Sequence, residues 1–291
     1  MNNLPKIGFG TGRISRKNIE KILSIALKNN YKLIDTGDAY NNEDLIGNCI
    51  NKYNKNEIKI ITKYFGGKSF GKKNDLTNSF LKSLKNLKKD YIDIYLIHLP
   101  GGCTFLKNKG WCYLYDDKTN HTSRINCWIE LIELKKRGFV KYIGVSNWNY
   151  EQLIEIEKLG LPDVIEIEWC PCYRDFELYY FCKKNNITII GYGNIKRILN
   201  FTKYKGSIDD FNNTKNILIN IGKKYNKSIT EIVLTWCKQL NVITIPSSTN
   251  KNHIKSNIKN YDSFYKLDEE DMESINNIKQ VIKGHSLNNI V

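Results

Sequence analysis

The sequence predicts a (β/α)8 barrel, and two observations carry that expectation. Eight short apolar runs, rich in β-branched residues, recur along the 291 residues, with amphipathic stretches of helical period between them. A strand, a helix and a further strand need a crossover connection, which makes neighbouring strands parallel. Eight such units fit a barrel, whose usual length is about 250 residues.

In chain order the runs are "KIGFG", "YKLID", "IKIITK", "IDIYLIH", "KYIGVS", "VIEIEW", "ITIIGY" and "NVITIP". Among the intervening stretches, "RKNIEKILSIALKNN" puts Ile19, Ile22, Leu23 and Ala26 on one helical face. "NDLTNSFLKSLKNLKK" does the same with Leu76, Phe80, Leu84 and Leu87, and "SITEIVLTWCKQL" with Ile229, Ile232, Val233 and Trp236. No Pro/Gly/Ser-rich linker divides the chain, so residues 1–291 read as one barrel domain. Two segments exceed the simple repeat: 101–124 after the fourth strand and 194–210 after the seventh. Both read as long loops, which in such folds serve as lids or specificity loops. The competing fold is a doubly wound dinucleotide-binding sheet, suggested by "GFGTG" (Gly8, Gly10, Gly12). Its spacing is G-x-G-x-G, whereas that sheet's turn is G-x-G-x-x-G.

With 41% hydrophobic residues the chain has material for a core and is globular. The net charge of +15 raises nucleic acid, a membrane surface or anionic small molecules as partners. The lysines are dispersed, as Lys21, Lys28, Lys55, Lys85, Lys183 and Lys223, with only short clusters such as Lys135-Lys136-Arg137. That pattern favours solvated helix faces over a nucleic-acid footprint. Eight cysteines include no C-x-x-C, and the i,i+2 pair Cys170-Pro171-Cys172 is a poor chelating bite, so no metal is expected. Reduced, buried thiols in a cytosolic protein are the expectation. "MNNLPKIGFG" lacks the charged and apolar regions of a signal peptide, and no apolar run approaches 18 residues. No membrane partner is expected, and a monomer is.

Chemistry in a barrel collects at the C-terminal strand ends. Those exits carry Asp35 with Tyr40 shortly after it, Lys63, His98, Ser146-Asn147, Tyr192 and "PSST" (Pro246, Ser247, Ser248, Thr249). A tyrosine hydroxyl titrates near pH ~10 in isolation. A neighbouring ammonium lowers that value toward a working range, and an aspartate holds the lysine in place. A neutral histidine orients a carbonyl oxygen. Together these suit reduction of a carbonyl by hydride from a cofactor. Taken singly, Lys63 reads as a solvated charge, Tyr40 as a rim aromatic and His98 as a core histidine. In "LIDTGDAYNNED", Asp38 reads as turn chemistry or a solvated charge, and Glu43 as a helix-start carboxylate.

The chain resembles the aldo-keto reductase family, on motifs that span nearly its whole length. They are "DTGDAYNNE" (Asp35 to Glu43), "IITK" (Lys63), "DIYLIHLP" (His98), "ELKKRGFVKYIGVSNW" and "ITIPSSTNKNHIKSN". The resemblance implies a catalytic tetrad of Asp35, Tyr40, Lys63 and His98, with Tyr40 as proton donor. It also implies an extended nicotinamide cofactor across the barrel mouth. Gly10 and Thr11 would lie beside the nicotinamide, Ser146 and Asn147 on its carboxamide, and Tyr192 against its ring.

Three departures from the family pattern stand out. Glu166 occupies the usual glutamine position on the sixth strand; it can accept from a carboxamide but, ionised, cannot donate. Gly193 in "YGNI" replaces the serine that binds pyrophosphate. In the eighth-strand motif Ser247 and His253 replace the Lys and Arg of the 2′-phosphate clamp, while Ser248 and Asn257 match it and Thr249 is a further cofactor-binding candidate. NADPH is the expected cofactor, with NADH or dual use as the alternative. By the same resemblance Phe65 and Leu99 would wall the substrate pocket with Tyr40 and His98, and Trp111 would line its rim. The expected function is NAD(P)H-dependent reduction of small aldehydes or ketones. The rival readings are a nucleotide-binding sensor or subunit of the same fold, with little catalysis, and a nucleic-acid binder.

Overall fold

Every strand of the main sheet is parallel to its neighbours, and the sheet closes on itself. The structure is a computed structural model that describes residues 4–106, 110–204, 206–261 and 265–281, and within these not the side chains of 105, 106, 110–113, 203, 204 and 260. The strands are β1 (Phe9–Gly10), β2 (Leu33–Asp35), β3 (Lys59–Tyr64), β4 (Ile92–Ile97), β5 (Cys103–Leu106), β6 (Gly110–Tyr113), β7 (Val140–Ser146), β8 (Val164–Glu168), β9 (Thr188–Tyr192) and β10 (Ile243–Thr244). The barrel runs β1-β2-β3-β4-β7-β8-β9-β10. Ile7 bridges Thr244 in parallel, and the Gly8 N–H donates to the Thr244 carbonyl at 2.7 Å, which completes the ring.

Two apolar layers follow from the two periods in the sequence. Leu33, Ile61, Ile94, Leu96, Val164, Ile190, Ile243 and Ile245 fill the barrel interior. The alternate strand residues face outward and pack on the helices. Helix α1 (Arg16–Lys28) buries Ile19, Ile22, Leu23, Ala26 and Leu27. Because side chains alternate along a strand, the position two residues beyond each interior residue shares its face. Asp35 thus follows Leu33, Lys63 follows Ile61, His98 follows Leu96, Glu166 follows Val164 and Tyr192 follows Ile190. The apolar interior ends in a layer of polar groups at one mouth.

The segment 101–124 is not a plain loop. It holds the antiparallel hairpin β5–β6, and α4 (Asp117–Lys136) begins well before Arg124. Asp116 caps that helix by accepting from the Thr119 N–H at 2.8 Å. The first two turns, "DKTNHTSR", present no apolar stripe, so periodicity does not reveal them. Arg124 anchors the helix instead, donating to Glu155 at 2.6 Å and to the Pro100 carbonyl at 3.0 Å. The segment 194–210 likewise contains two short helices, Lys196–Leu199 and Phe201–Tyr204, and the start of a longer one at Ile208.

Candidate active site

Glycine spacing opens the mouth. Gly8, Gly10 and Gly12 alternate from just before β1 into the turn that follows it, and a Cβ on Gly10 would stand 2.9 Å from the Ile245 carbonyl oxygen. A Cβ on Gly12 would stand 2.9 Å from Cζ of Tyr40. "GFGTG" is therefore the short strand β1 and its exit turn, with no inward side chains at 8, 10 and 12, not a dinucleotide-binding turn. It brings the Tyr40 ring against the chain.

Lys63 lies at the centre, with no exposed surface. Its ammonium contacts Asp35 closely, donates to the Thr36 carbonyl at 2.8 Å and lies 3.3 Å from Oε1 of Glu166. Burial works against this charge, but Asp35, Glu166 and Tyr40 outweigh it and keep the lysine protonated. The ammonium sits 5.2 Å from the centre of the Tyr40 ring, and the His98 ring meets Tyr40 edge-on at 5.5 Å. The sequence suggests that Lys63 lowers the Tyr40 value toward neutrality. Lys63 does pull that value down, but burial outweighs it and the Asp35 and Glu166 charges add to the rise, so the net direction is upward. Tyr40 thus keeps its proton throughout the neutral range, as an acid must before its partner oxygen gains charge.

Asp38 is a tether rather than a solvated charge, and Glu43, in the first turn of the helix Glu43–Ile50 as its position suggests, is a tether as well. Asp38 accepts from the Phe65 N–H at 3.1 Å and from the Ser79 hydroxyl at 2.9 Å, joining the Tyr40 turn to the end of β3. Burial pushes its carboxyl up to about 6, opposed by those donors. Glu43 is buried and accepts from the Thr62 hydroxyl at 2.6 Å. A buried partner on a distant strand carries no local sequence signal, so periodicity and turn chemistry missed both.

The remaining residues implied by resemblance surround this centre unevenly. The Thr11 hydroxyl is spent on the Asp35 carbonyl at 2.8 Å. Asn147, in a left-handed conformation with φ 65°, donates from Nδ2 to Ser146 Oγ at 3.0 Å and to the His98 carbonyl at 3.1 Å. Tyr192 donates its hydroxyl to Asn147 Oδ1 at 2.6 Å, which fixes the ring. Phe65 meets His98 edge-on at 6.0 Å, and Leu99 is buried. Ser247, Thr249 and His253 are exposed, Ser248 is half-buried and accepts from the Asn250 N–H at 3.1 Å, and Asn257 is buried. Trp111 belongs to β6, but its side chain lies outside the described residues.

Glu168 was missed by sequence. It forms a buried bidentate pair with Arg197 at 2.7 and 2.9 Å, under Gly193, whose φ of 70° requires glycine. Cys170 and Cys172 bring their sulfurs to 3.5 Å, both fully buried, and no cluster able to hold a metal occurs among the described residues.

A nicotinamide nucleotide fits this mouth on two observations. Oε2 of Glu166 is buried, and no N–H, ammonium or hydroxyl among the described residues donates to it. The Tyr192 ring is locked beside it at the end of the next strand by Asn147.

A closed parallel barrel carries a buried lysine–carboxylate pair, a tyrosine and a histidine together at one mouth, an arrangement suited to proton transfer. The sequence profile described as "Aldo/keto reductase family" matches residues 6–280. Aldose reductase C of Dictyostelium discoideum is 30% identical over 295 residues, 97% of this chain and 88% of its own. Glycerol 2-dehydrogenase (NADP(+)) of Saccharomyces cerevisiae is 30% identical over 293 residues, covering 95% and 88%. The crystal structure of MGS-M4, an aldo-keto reductase from a Medee basin deep-sea metagenome library, superposes with a TM-score of 0.79 at 28% identity, covering 99% of this chain and 96% of that one. The chain belongs to the aldo/keto reductase family and is an oxidoreductase of the carbonyl-reducing kind.

Proposed function

We propose that the protein reduces small aldehydes or ketones to alcohols with NADPH, and that Asp35, Tyr40, Lys63 and His98 carry the chemistry. One observation bears most of the weight: Tyr40 is held between the Lys63 ammonium and the His98 ring, at 5.2 and 5.5 Å. A bound nicotinamide supplies the hydride to the carbonyl carbon. His98 orients the carbonyl oxygen, whose charge grows as the double bond opens. Tyr40 passes its hydroxyl proton to that oxygen, and Lys63 stabilises the phenolate left behind until solvent returns the proton. Asp35 and the Thr36 carbonyl hold Lys63 in place.

For the cofactor, Tyr192 would support one face of the ring and Glu166, Ser146 and Asn147 its carboxamide. The name of the yeast relative specifies NADP(+), which supports NADPH over NADH. Lys251 and Lys255, exposed on the helix Lys251–Tyr261 with His253, would supply charge for the 2′-phosphate in place of the usual clamp. Phe65, Leu99 and Trp111 would line the substrate side. Residues 1–291 would work as one barrel domain, a reading supported by the continuous core between strands and helices. Cys49, Cys127, Cys170, Cys172, Cys182 and Cys237 are buried free thiols, which supports a reducing, cytosolic setting, and no described helix is long and apolar enough to cross a membrane.

The test is oxidation of NADPH and of NADH, followed by absorbance, with 4-nitrobenzaldehyde as a permissive substrate. Tyr40→Phe should lose about 100-fold or more in kcat, in the range of general-acid contributions, while still binding nucleotide. A Tyr40→Phe variant that keeps most of its turnover refutes the mechanism. Tight nucleotide binding with no turnover on any carbonyl would favour the sensor.

A further inference from the structure

Lys63 is shared between two carboxylates, from opposite sides of the barrel. Asp35 reaches it from β2 and Glu166 from β8, at 3.3 Å. All three side chains are almost wholly buried. One ammonium cannot balance two ionised carboxylates there, so the site either carries a net buried negative charge or holds one extra proton. Asp35 has the closer contact with Lys63, and the Asp35 and Glu166 side chains hydrogen-bond each other, which needs a proton on one of the two carboxyls. The proton therefore belongs on Glu166. The titratable and charged groups around it are Asp35 and Lys63, Tyr40 on the adjoining turn, His98 on β4's exit, Tyr192 on β9, and Glu168 with its Arg197 on the same mouth. On β7, Ser146 and Asn147 face it without charge.

We propose that Glu166 is a positioning residue that acts on Tyr40 through Lys63: it holds a proton in the working state, and on losing that proton to solvent it draws the lysine charge away from Tyr40. The protonated carboxyl also donates, which restores what a glutamine would offer a carboxamide oxygen at this position. Burial raises the Glu166 carboxyl most, the Asp35 charge adds to it, and Lys63 opposes them, leaving it at about 8. The transition therefore falls at the edge of the physiological range.

This inference rests on the reductase reading, and two measurements separate the two. Infrared spectra of the nucleotide-free protein should show the C=O stretch of a buried carboxylic acid at pH 7.5, where Asp38 is already ionised, lost at pH 9.5 and missing from Glu166→Gln. In the native protein kcat for reduction should fall through the same range, the protonated form declining about tenfold per pH unit above the transition. In Glu166→Gln that alkaline fall should flatten. Should the glutamine variant not fold, Glu166→Met serves the same comparison. No carboxylic-acid band titrating between pH 7.5 and pH 9.5 overturns the proposal, as does an unchanged alkaline limb in the variant. A titrating band in a protein with no turnover on any carbonyl defeats the reductase reading, and the role of Glu166 with it.

Discussion

The Tyr40 ring packs so closely over Gly12 that a β-carbon there would lie 2.9 Å from Cζ and 3.0 Å from Cε2. The ring is the flank of the proposed proton donor, so a single methyl at residue 12 must move either the ring or the strand. Gly12→Ala should lower kcat by about tenfold or more, since small misplacements of a reacting group are costly. Its melting temperature should change by only a few degrees, roughly the effect of 1 kcal/mol. Steady-state rates beside a thermal melt decide it, and an unchanged kcat would show that the ring is free to shift without consequence.

Removing the lysine should uncover the charges that it balances. Lys63→Met leaves Asp35 and Glu166 buried and facing each other without their cation. Breaking a buried pair in this way costs about 3–5 kcal/mol. Without the ammonium, burial and mutual repulsion raise both carboxyls further above their unfolded values. The folded state then holds protons that the unfolded state releases, so stability is retained at low pH and lost as pH rises. Urea unfolding at pH 5 and pH 8 should show the larger deficit at pH 8. An equal deficit at both would mean that neither carboxyl titrates in that window.

Asp38 joins the turn that carries Tyr40 to the Phe65 N–H and the Ser79 hydroxyl. Asp38→Ala leaves both donors without an acceptor, at a cost of about 1–3 kcal/mol. Because burial raises this carboxyl to about 6 in the folded protein, its contribution is full below the ordinary aspartate range and is lost as pH rises through about 6. The deficit of the alanine variant should therefore be larger at pH 4 than at pH 7. Thermal melts of both proteins across that range test the sign.

The exposed Ser247 and His253 stand where the usual 2′-phosphate clamp is missing, which leaves Lys251 and Lys255 to supply its charge in the proposed reading. Restoring both cations, as Ser247→Lys with His253→Arg, should raise NADPH affinity about tenfold over NADH, the effect of roughly 1.4 kcal/mol from new charge-assisted contacts. The gain should shrink as salt is added. Nucleotide titrations by fluorescence quenching measure it; equal gains for the two nucleotides would place the 2′-phosphate elsewhere.

The barrel was legible because both of its periods are written in the chain. Leu33 and Ile61 announce buried strands, and the residues two positions on, Asp35 and Lys63, fall on the same face by geometry alone. The exits of β4 and β9 carried His98 and Tyr192 for the same reason. The start of α4 was hidden because its first turns are polar all round and are held by Arg124 and a cap, neither of which has a period.

Sequence by itself determined the strand–helix alternation, the family motifs and the identity of the groups at the mouth, since these depend on residue type and near-neighbour spacing. Only the closed barrel decided that Glu166 shares Lys63 with Asp35, that Gly12 makes room for Tyr40, and that Asp38 and Glu43 are tethers. Each of these is a contact between segments far apart in the chain. Burial then made each contact matter, because removal from water is what gives a charge or a methyl group its cost.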